Sequence, residues 1–207
     1  MALAQALLAL LLAPLALVAQ YKADAAGAPP RELPANFARL LLSNGFKISS
    51  SGAPYCEIWF RAALPSGPAS PPRNVTLPQV RLGALVGVIR FDAPGADRRG
   101  QSIQPGLYTL RYGLLPLNEE HQGAAPQRDF LLLTPLDDDR DPNATPDLDA
   151  LAAMSRKASR TRHPAVLSFW KAEADSPGFS QKGDDWVLET KLGETPIAVI
   201  LIGTAGS

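Results

Sequence analysis

The chain has 207 residues, 46% of them hydrophobic, with 20 basic and 20 acidic side chains and no net charge. That length fits one domain, or one domain plus a processed segment, and the apolar share excludes an intrinsically disordered chain. Balanced charge argues against nucleic-acid binding, which needs a basic excess or stripe.

No charged side chain occurs in residues 1–19, and Leu3 to Val18 is nearly all Leu and Ala, broken by Pro14. The run is shorter than a bilayer span but has the length of a signal-peptide core. Leu17-Val18-Ala19 supplies a cleavage pattern, and Ala23-Asp24-Ala25 a second one. Residues 1–19 are therefore expected to be a signal peptide, with a retained anchor as the alternative. The protein is expected to be exported, to the periplasm or outside the cell, and to meet a membrane only through this segment if it stays uncleaved. Residues 20–44 are rich in Ala, Gly and Pro without a period, which predicts a flexible lead-in before a domain over 45–207. Within it, residues 37–42 read as a helical turn or a first strand, and Asn44-Gly45 as a turn.

Strand composition follows at Phe46–Ile48 and Pro54–Arg61. Cys56, the only cysteine, sits in the second of these and reads as a small buried hydrophobe. Residues 64–72 hold four prolines and form a loop. The continuous apolar run of residues 81–91 predicts a central strand covered on both faces. Residues 93–104 are polar and turn-rich. In residues 107–112, Tyr108, Leu110 and Tyr112 alternate with Thr109 and Arg111, the pattern of a half-buried strand. Phe130–Thr134 is a further short strand.

One helix is signalled after an acidic stretch. Thr145 can cap it, Pro146 suits the first helical position, and Asp147 and Asp149 favour the positive end of the dipole. Leu148, Leu151, Ala152 and Ser155 share a face, Arg156, Lys157 and Arg160 suit the negative end, and His163-Pro164 stops the helix. Strands return at Ala165–Trp170, Trp186–Leu192 and Pro196–Ile202, the last two joined by a Gly193-Glu194 turn. The sum is an all-β protein with one helix, an antiparallel β-sandwich or jelly roll, with the acidic loop and helix inserted at about 135–160.

Four segments are familiar together: residues 57–61 (Glu-Ile-Trp-Phe-Arg), 83–91 (Gly-Ala-Leu-Val-Gly-Val-Ile-Arg-Phe), 104–112 (Gln-Pro-Gly-Leu-Tyr-Thr-Leu-Arg-Tyr) and 128–133 (Arg-Asp-Phe-Leu-Leu-Leu). They resemble a group of exported bacterial proteins of unknown function. The Pro-Gly step into Tyr-Thr-Leu also resembles a wider family of secreted β-sandwich domains. The resemblance spans roughly residues 45–203 and implies a bacterial source, export and a sandwich, but it carries no catalytic residues to transfer.

The sharpest chemical feature is residues 137–143, where Asp137, Asp139, Asp141 and Asn143 alternate as hard oxygen ligands at calcium-loop spacing. Pro142 stands where such a loop wants glycine, and Leu148 where a closing Glu belongs; a solvated acidic loop accounts for the same residues. His121, Arg128, Asp129 and His163 are the candidate ligand-binding set. The two histidines with Asp129 or Glu120 have the donor types of a zinc or iron site, without supporting spacing. Arg156, Lys157, Arg160, Arg162 and His163 are a basic cluster suited to an anion, or simply to the helix dipole. Trp59, Trp170 and Trp186 are candidates for a sugar platform or for burial. No Gly-x-Ser-x-Gly, phosphate-cradling or dinucleotide motif occurs. The expectation is a non-enzymatic binding or interaction module for a carbohydrate or another envelope component, without a cofactor unless calcium. A metal-dependent hydrolase and a structural accessory domain are the alternatives.

Overall fold

The computed structural model describes residues 20–65, 67, 74–115, 127–173 and 177–204. The described chain runs β1 (Tyr21–Gly27), α1 (Ala35–Ala38), β2 (Gly45–Ser50), β3 (Ala53–Phe60), β4 (Leu85–Phe91), β5 (Gly95–Ala96), β6 (Ser102–Ile103), β7 (Gly106–Leu114), β8 (Asp129–Pro135), α2 (Leu148–Ser159), β9 (Val166–Lys171), β10 (Gly178–Lys182), β11 (Asp185–Leu192) and β12 (Thr195–Ile202). Ten strands make one sheet in the order β1-β2-β3-β4-β7-β8-β9-β12-β11-β10, while β5 and β6 form a separate small hairpin. Every pairing is antiparallel. The protein is all-β with one main helix.

The sandwich expectation takes a particular form, because the two leaves share a strand. The first half of β9 pairs with β8 through Val166, Leu167 and Ser168, and its second half pairs with β12 through Phe169, Trp170 and Lys171. A strand that changes partners midway makes a corner. The sheet folds at β9 and curls until it is nearly closed, barrel-like.

Alternation fills the inside. Ile58 and Phe60 of β3, Tyr108, Leu110 and Tyr112 of β7, Leu131 and Leu133 of β8, and Val199 and Leu201 of β12 meet in one buried cluster. Cys56 belongs to the same cluster, where burial pushes its thiol well above the usual range.

Residues 21–27, expected as flexible lead-in, instead pair along β2 from Tyr21 with Ser50 to Gly27 with Gly45. Composition misled there: Tyr21 and Ala23 pack on the main core and Ala26 on the Trp59 cluster, with side chains too small to give a readable period. Residues 37–42 contribute the end of helix α1, whose Phe37 is fully buried against that cluster. Asn44 fixes this corner, since its Oδ1 accepts from Gly27 N, and Trp59 Nε1 donates to Gly27 O at 2.8 Å.

The seam between the edge strands β1 and β10 is bridged at one end by aromatic rings. Tyr21 meets Trp186 edge-on at 5.5 Å and Tyr55 at 5.8 Å; Trp186 meets Phe179, Tyr55 meets Phe91, and Phe91 meets Tyr108. The chain of rings thus runs from β10 through β11, β1, β3 and β4 to β7 across the end of the molecule where β1 begins, here called the Tyr21 end. The opposite, Gly27 end carries the start of β2 and the end of β7.

Two outcomes follow. Tyr21→Ala and Trp186→Ala should each lower stability in urea denaturation, and a double-mutant cycle should return a coupling of about 0.5–1.5 kcal/mol. Zero coupling would mean that the seam is held elsewhere. Burial also pushes the Tyr55 hydroxyl up to about 12, and raises Tyr108 and Tyr112. The unfolded chain ionises its tyrosines near about pH 10 while the folded chain keeps these protons, so stability present below about pH 10 is lost as pH rises toward about 12. The melting temperature should fall across that window, and less steeply in Tyr55→Phe; equal slopes would contradict the assignment.

Candidate functional site

Strand β7 presents Thr109 and Arg111 to the outside of the barrel, where a strand pattern leads one to expect water. Arg111 is instead fully buried, with 0% of its surface exposed. Its guanidinium donates from Nε and Nη2 to the two carboxylate oxygens of Asp139, at 2.7 and 2.6 Å. It also donates to the carbonyls of Gly83, Asp141 and Ala144 at 3.1, 2.7 and 2.6 Å. Thr109 Oγ1 donates to Asp139 at 2.5 Å. An arginine fork buried in this way needs a planar, two-oxygen partner and carbonyls for its remaining protons, and it has both. Gly83 is held at φ +76, and a side chain there would collide with Pro146 O. Arg61 lies close enough for its pKa to be lowered by burial and by the charge of Arg111. Its Nε and Thr134 Oγ1 are buried without a hydrogen-bond partner among the described residues.

This network takes up one member of the acidic stretch. Asp139 points inward to Arg111, while Asp137, Asp141 and Asn143 are exposed. Asp141 Oδ1 accepts from Asn143 N, closing a local turn, and Arg140 Nε donates to Asp137 O. Among the described residues no group of three or more His, Cys, Asp or Glu is placed to hold a metal ion. The alternating ligands are therefore split between the two sides of the loop.

The other candidates are likewise separated. Asp129 is fully buried and ties the Gly27 end shut: its carboxylate accepts from Thr76 N, Leu77 N and the Tyr112 hydroxyl, the last at 2.6 Å. Thr76 Oγ1 in turn accepts from Lys171 N. Arg128 Nε donates to Leu115 O. His163 is exposed at the Tyr21 end, where its Nε2 accepts from Arg162. His121 lies outside the described residues, with Glu120.

A third buried carboxylate, Asp97, was not singled out by the sequence. It holds the β5–β6 hairpin by accepting from Arg99 N and Gln101 N at 3.0 and 3.1 Å, and it pairs with the Arg99 side chain. Arg99 and Gln101 reach on to Pro164 O, Thr161 donates to Gln101 Oε1, and Arg98 pairs with Asp185 of β11. The hairpin thereby caps the Tyr21 end.

Of the tryptophans, Trp59 is buried, Trp186 packs between Tyr21 and Phe179, and Trp170 lies half-buried over Ala172, Val187, Ala198 and Ile200. They sit in three different clusters and form no continuous strip.

What remains open is a cleft of about 590 Å³ beside the start of α2, lined by Arg81, Leu82, Tyr112, Leu114, Pro146 and Leu148 among others. Leu82 and Leu148 are 45% and 37% exposed, although the helix turns its other leucine, Leu151, onto Phe130 and Leu132. The Asp147 side chain caps α2 by accepting from Ala150 N, so the helix starts at Leu148, two residues later than Pro146 suggested. A smaller cleft of about 430 Å³ lies at the Tyr21 end between Lys157, Arg160, Asp137, Glu32 and residues 104–108.

No family model, no curated protein and no solved structure matches this chain.

The Arg111–Asp139 pair yields a direct test. Asp139→Ala leaves a buried guanidinium uncompensated and should cost about 3–5 kcal/mol in chemical denaturation. The double variant Arg111→Met, Asp139→Leu should recover most of that loss; equal losses in the single and double variants would show that the charges themselves are not what matters.

Proposed function

We propose that the protein is an exported, non-enzymatic binding module of a bacterial cell envelope that takes its ligand in the cleft between α2 and residues 81–83. The observation that carries this reading is the use of side chains. The buried carboxylates Asp97, Asp129 and Asp139 are each spent on fixing a loop, whereas Leu82 and Leu148 are left open on a concave surface. Exposed leucines lining a cleft mark binding more often than they occur at random on a surface. The uncharged apolar leader and the resemblance to exported bacterial proteins support the address.

The lining also narrows the ligand. Among the described residues Tyr112 is its only aromatic ring, Leu82, Leu114, Pro146 and Leu148 are aliphatic, and Arg81 and Asp147 supply charge at the rim. A bare sugar is held by stacked rings and dense hydrogen bonds; this surface suits an amphipathic envelope component, with an apolar portion on the leucines and a polar group at the rim.

A thermal-shift screen of the full chain against acylated glycans, plain glycans, amphipathic peptides, calcium and chelator tests the proposal. Acylated or amphipathic ligands should raise the melting temperature, and Leu82→Asp or Leu148→Asp should weaken that binding by about tenfold or more, as expected for losing a buried leucine contact. Binding unchanged in both variants would remove the cleft from the reading. Turnover of ester, phosphate or glycoside reporters would overturn the non-enzymatic assignment.

A further inference from the structure

The smaller cleft at the Tyr21 end is lined by charges of both signs, and each sign comes from different elements. Lys157 and Arg160 belong to the last turn of α2, while Glu32 and Asp137 belong to the segments before α1 and after β8. Leu107, Tyr108 and Leu136 supply apolar lining. Backbone hydrogen bonds fix these walls. Gln104 N donates to Ala158 O, tying the turn before β7 to the helix, and Leu136 N donates to Leu107 O, tying the chain after β8 to β7. Arg160 ends the helix in a left-handed conformation, φ 55, with its N–H bonded to Arg156 O. The Tyr108 hydroxyl donates to Gln104 O at 2.7 Å, and a side chain at Gly106 would crowd that hydroxyl.

Two of the charges are held by neighbours: Glu32 meets Arg90 at 3.3 Å, and Lys157 meets Asp138 at 2.5 Å. The other two are not. Among the described residues the Arg160 guanidinium and the Asp137 carboxylate have no hydrogen-bond or ion-pair partner, and they do not pair with each other although they line one cleft. Arg160 lies near the Tyr108 hydroxyl: burial raises that group, and the charge of Arg160 works against the rise. An unpaired charge on open surface is solvated and needs no explanation. Here one of each sign stands on a pinned, concave surface with aliphatic lining, the layout of a site for a molecule that carries both charges. We infer that this cleft binds a small zwitterion of the amino-acid or dipeptide class, its carboxylate on Arg160, its ammonium on Asp137 and its apolar body on Leu107 and Leu136.

A volume of about 430 Å³ admits a molecule of that size. A ligand of single charge is disfavoured, because an anion drawn to Arg160 and Lys157 also meets Glu32 and Asp137, and a cation meets the reverse. The inference goes beyond the leucine cleft and does not rest on it.

Isothermal titration calorimetry of the full chain with leucine, leucyl-leucine, and the N-acetyl and C-terminal amide forms of the dipeptide tests this. The free dipeptide should bind, and removal of either of its charges should weaken binding about tenfold or more, as expected for one hydrogen-bonded ionic contact. Arg160→Asn, a residue that suits a left-handed helix end, should weaken the free dipeptide about tenfold and leave the amide unchanged. Asp137→Asn should weaken the free dipeptide similarly and leave the N-acetyl form unchanged. Leu82→Asp should alter none of these. Failure of both leucine and leucyl-leucine to bind would overturn the inference, as would equal binding of the three dipeptide forms or a variant that weakens all three alike. Inorganic phosphate bound as tightly as the dipeptide, and lost in Arg160→Asn, would also overturn it, in favour of a simple anion site.

Discussion

The fold outside the barrel hangs on one buried ion pair. Arg111 stands in the middle of β7 with no exposed surface, and a guanidinium in that position is tolerable only when its protons are nearly all spoken for. Asp139 takes two of them, and three backbone carbonyls, from Gly83, Asp141 and Ala144, take others. The acceptors come from both sides of β7 in sequence. The pair therefore does more than neutralise charge: it draws residues 136–147 along the outer face and fixes where α2 must begin. Hydrophobic contact of Leu151 with Phe130 and Leu132 then holds the helix down. Burying such a pair contributes little net stability, but it specifies one position for a loop that has few apolar residues of its own.

The two ends of the barrel follow a related logic. At each, one buried carboxylate accepts backbone N–H groups from a loop that would otherwise present unpaired donors to the core. Asp129 serves residues 76–77 and Asp97 serves residues 99–101. A curled sheet with a packed interior has open ends, and these loops fill them. The rings from Phe179 to Tyr108 do the same for the seam, where β1 and β10 face each other without a ladder between them.

How legible this was depended on the range of each interaction. Alternation in β7 placed Tyr108, Leu110 and Tyr112 on the inside correctly, and the helix was visible from its charges and apolar spacing, because these are contacts between near neighbours. The outward face of β7 was misjudged, since Arg111 reads as a water-facing residue until a carboxylate far along the chain is known to cover it. The calcium-like spacing of Asp137, Asp139 and Asp141 had the same flaw: spacing says nothing of which side chain turns inward. β1 escaped notice because Ala23 and Ala26 carry too little side chain to show a period. The short β5–β6 hairpin and β10 lie in polar, turn-rich sequence and exist mainly through contacts made elsewhere. The cleft had a trace in the sequence, in that Leu148 sits at the first turn of α2 with no apolar partner at the next helical spacing but Leu151 and Ala152, both already committed to the sheet.

Helix α2 joins the two open surfaces. Its first turn, with Asp147 and Asp149, borders the leucine cleft at the Gly27 end; its last turn, with Arg156, Lys157 and Arg160, borders the second cleft at the Tyr21 end. The dipole favours this arrangement of charge by itself, so both surfaces are built at no cost to the helix. Because the helix is positioned by the Arg111–Asp139 pair, a change there would move both surfaces together, whereas a change at Leu82 would touch only the first. A barrel whose interior is filled by its own side chains leaves recognition to what is fastened outside, and here that is a single helix pinned by a single guanidinium.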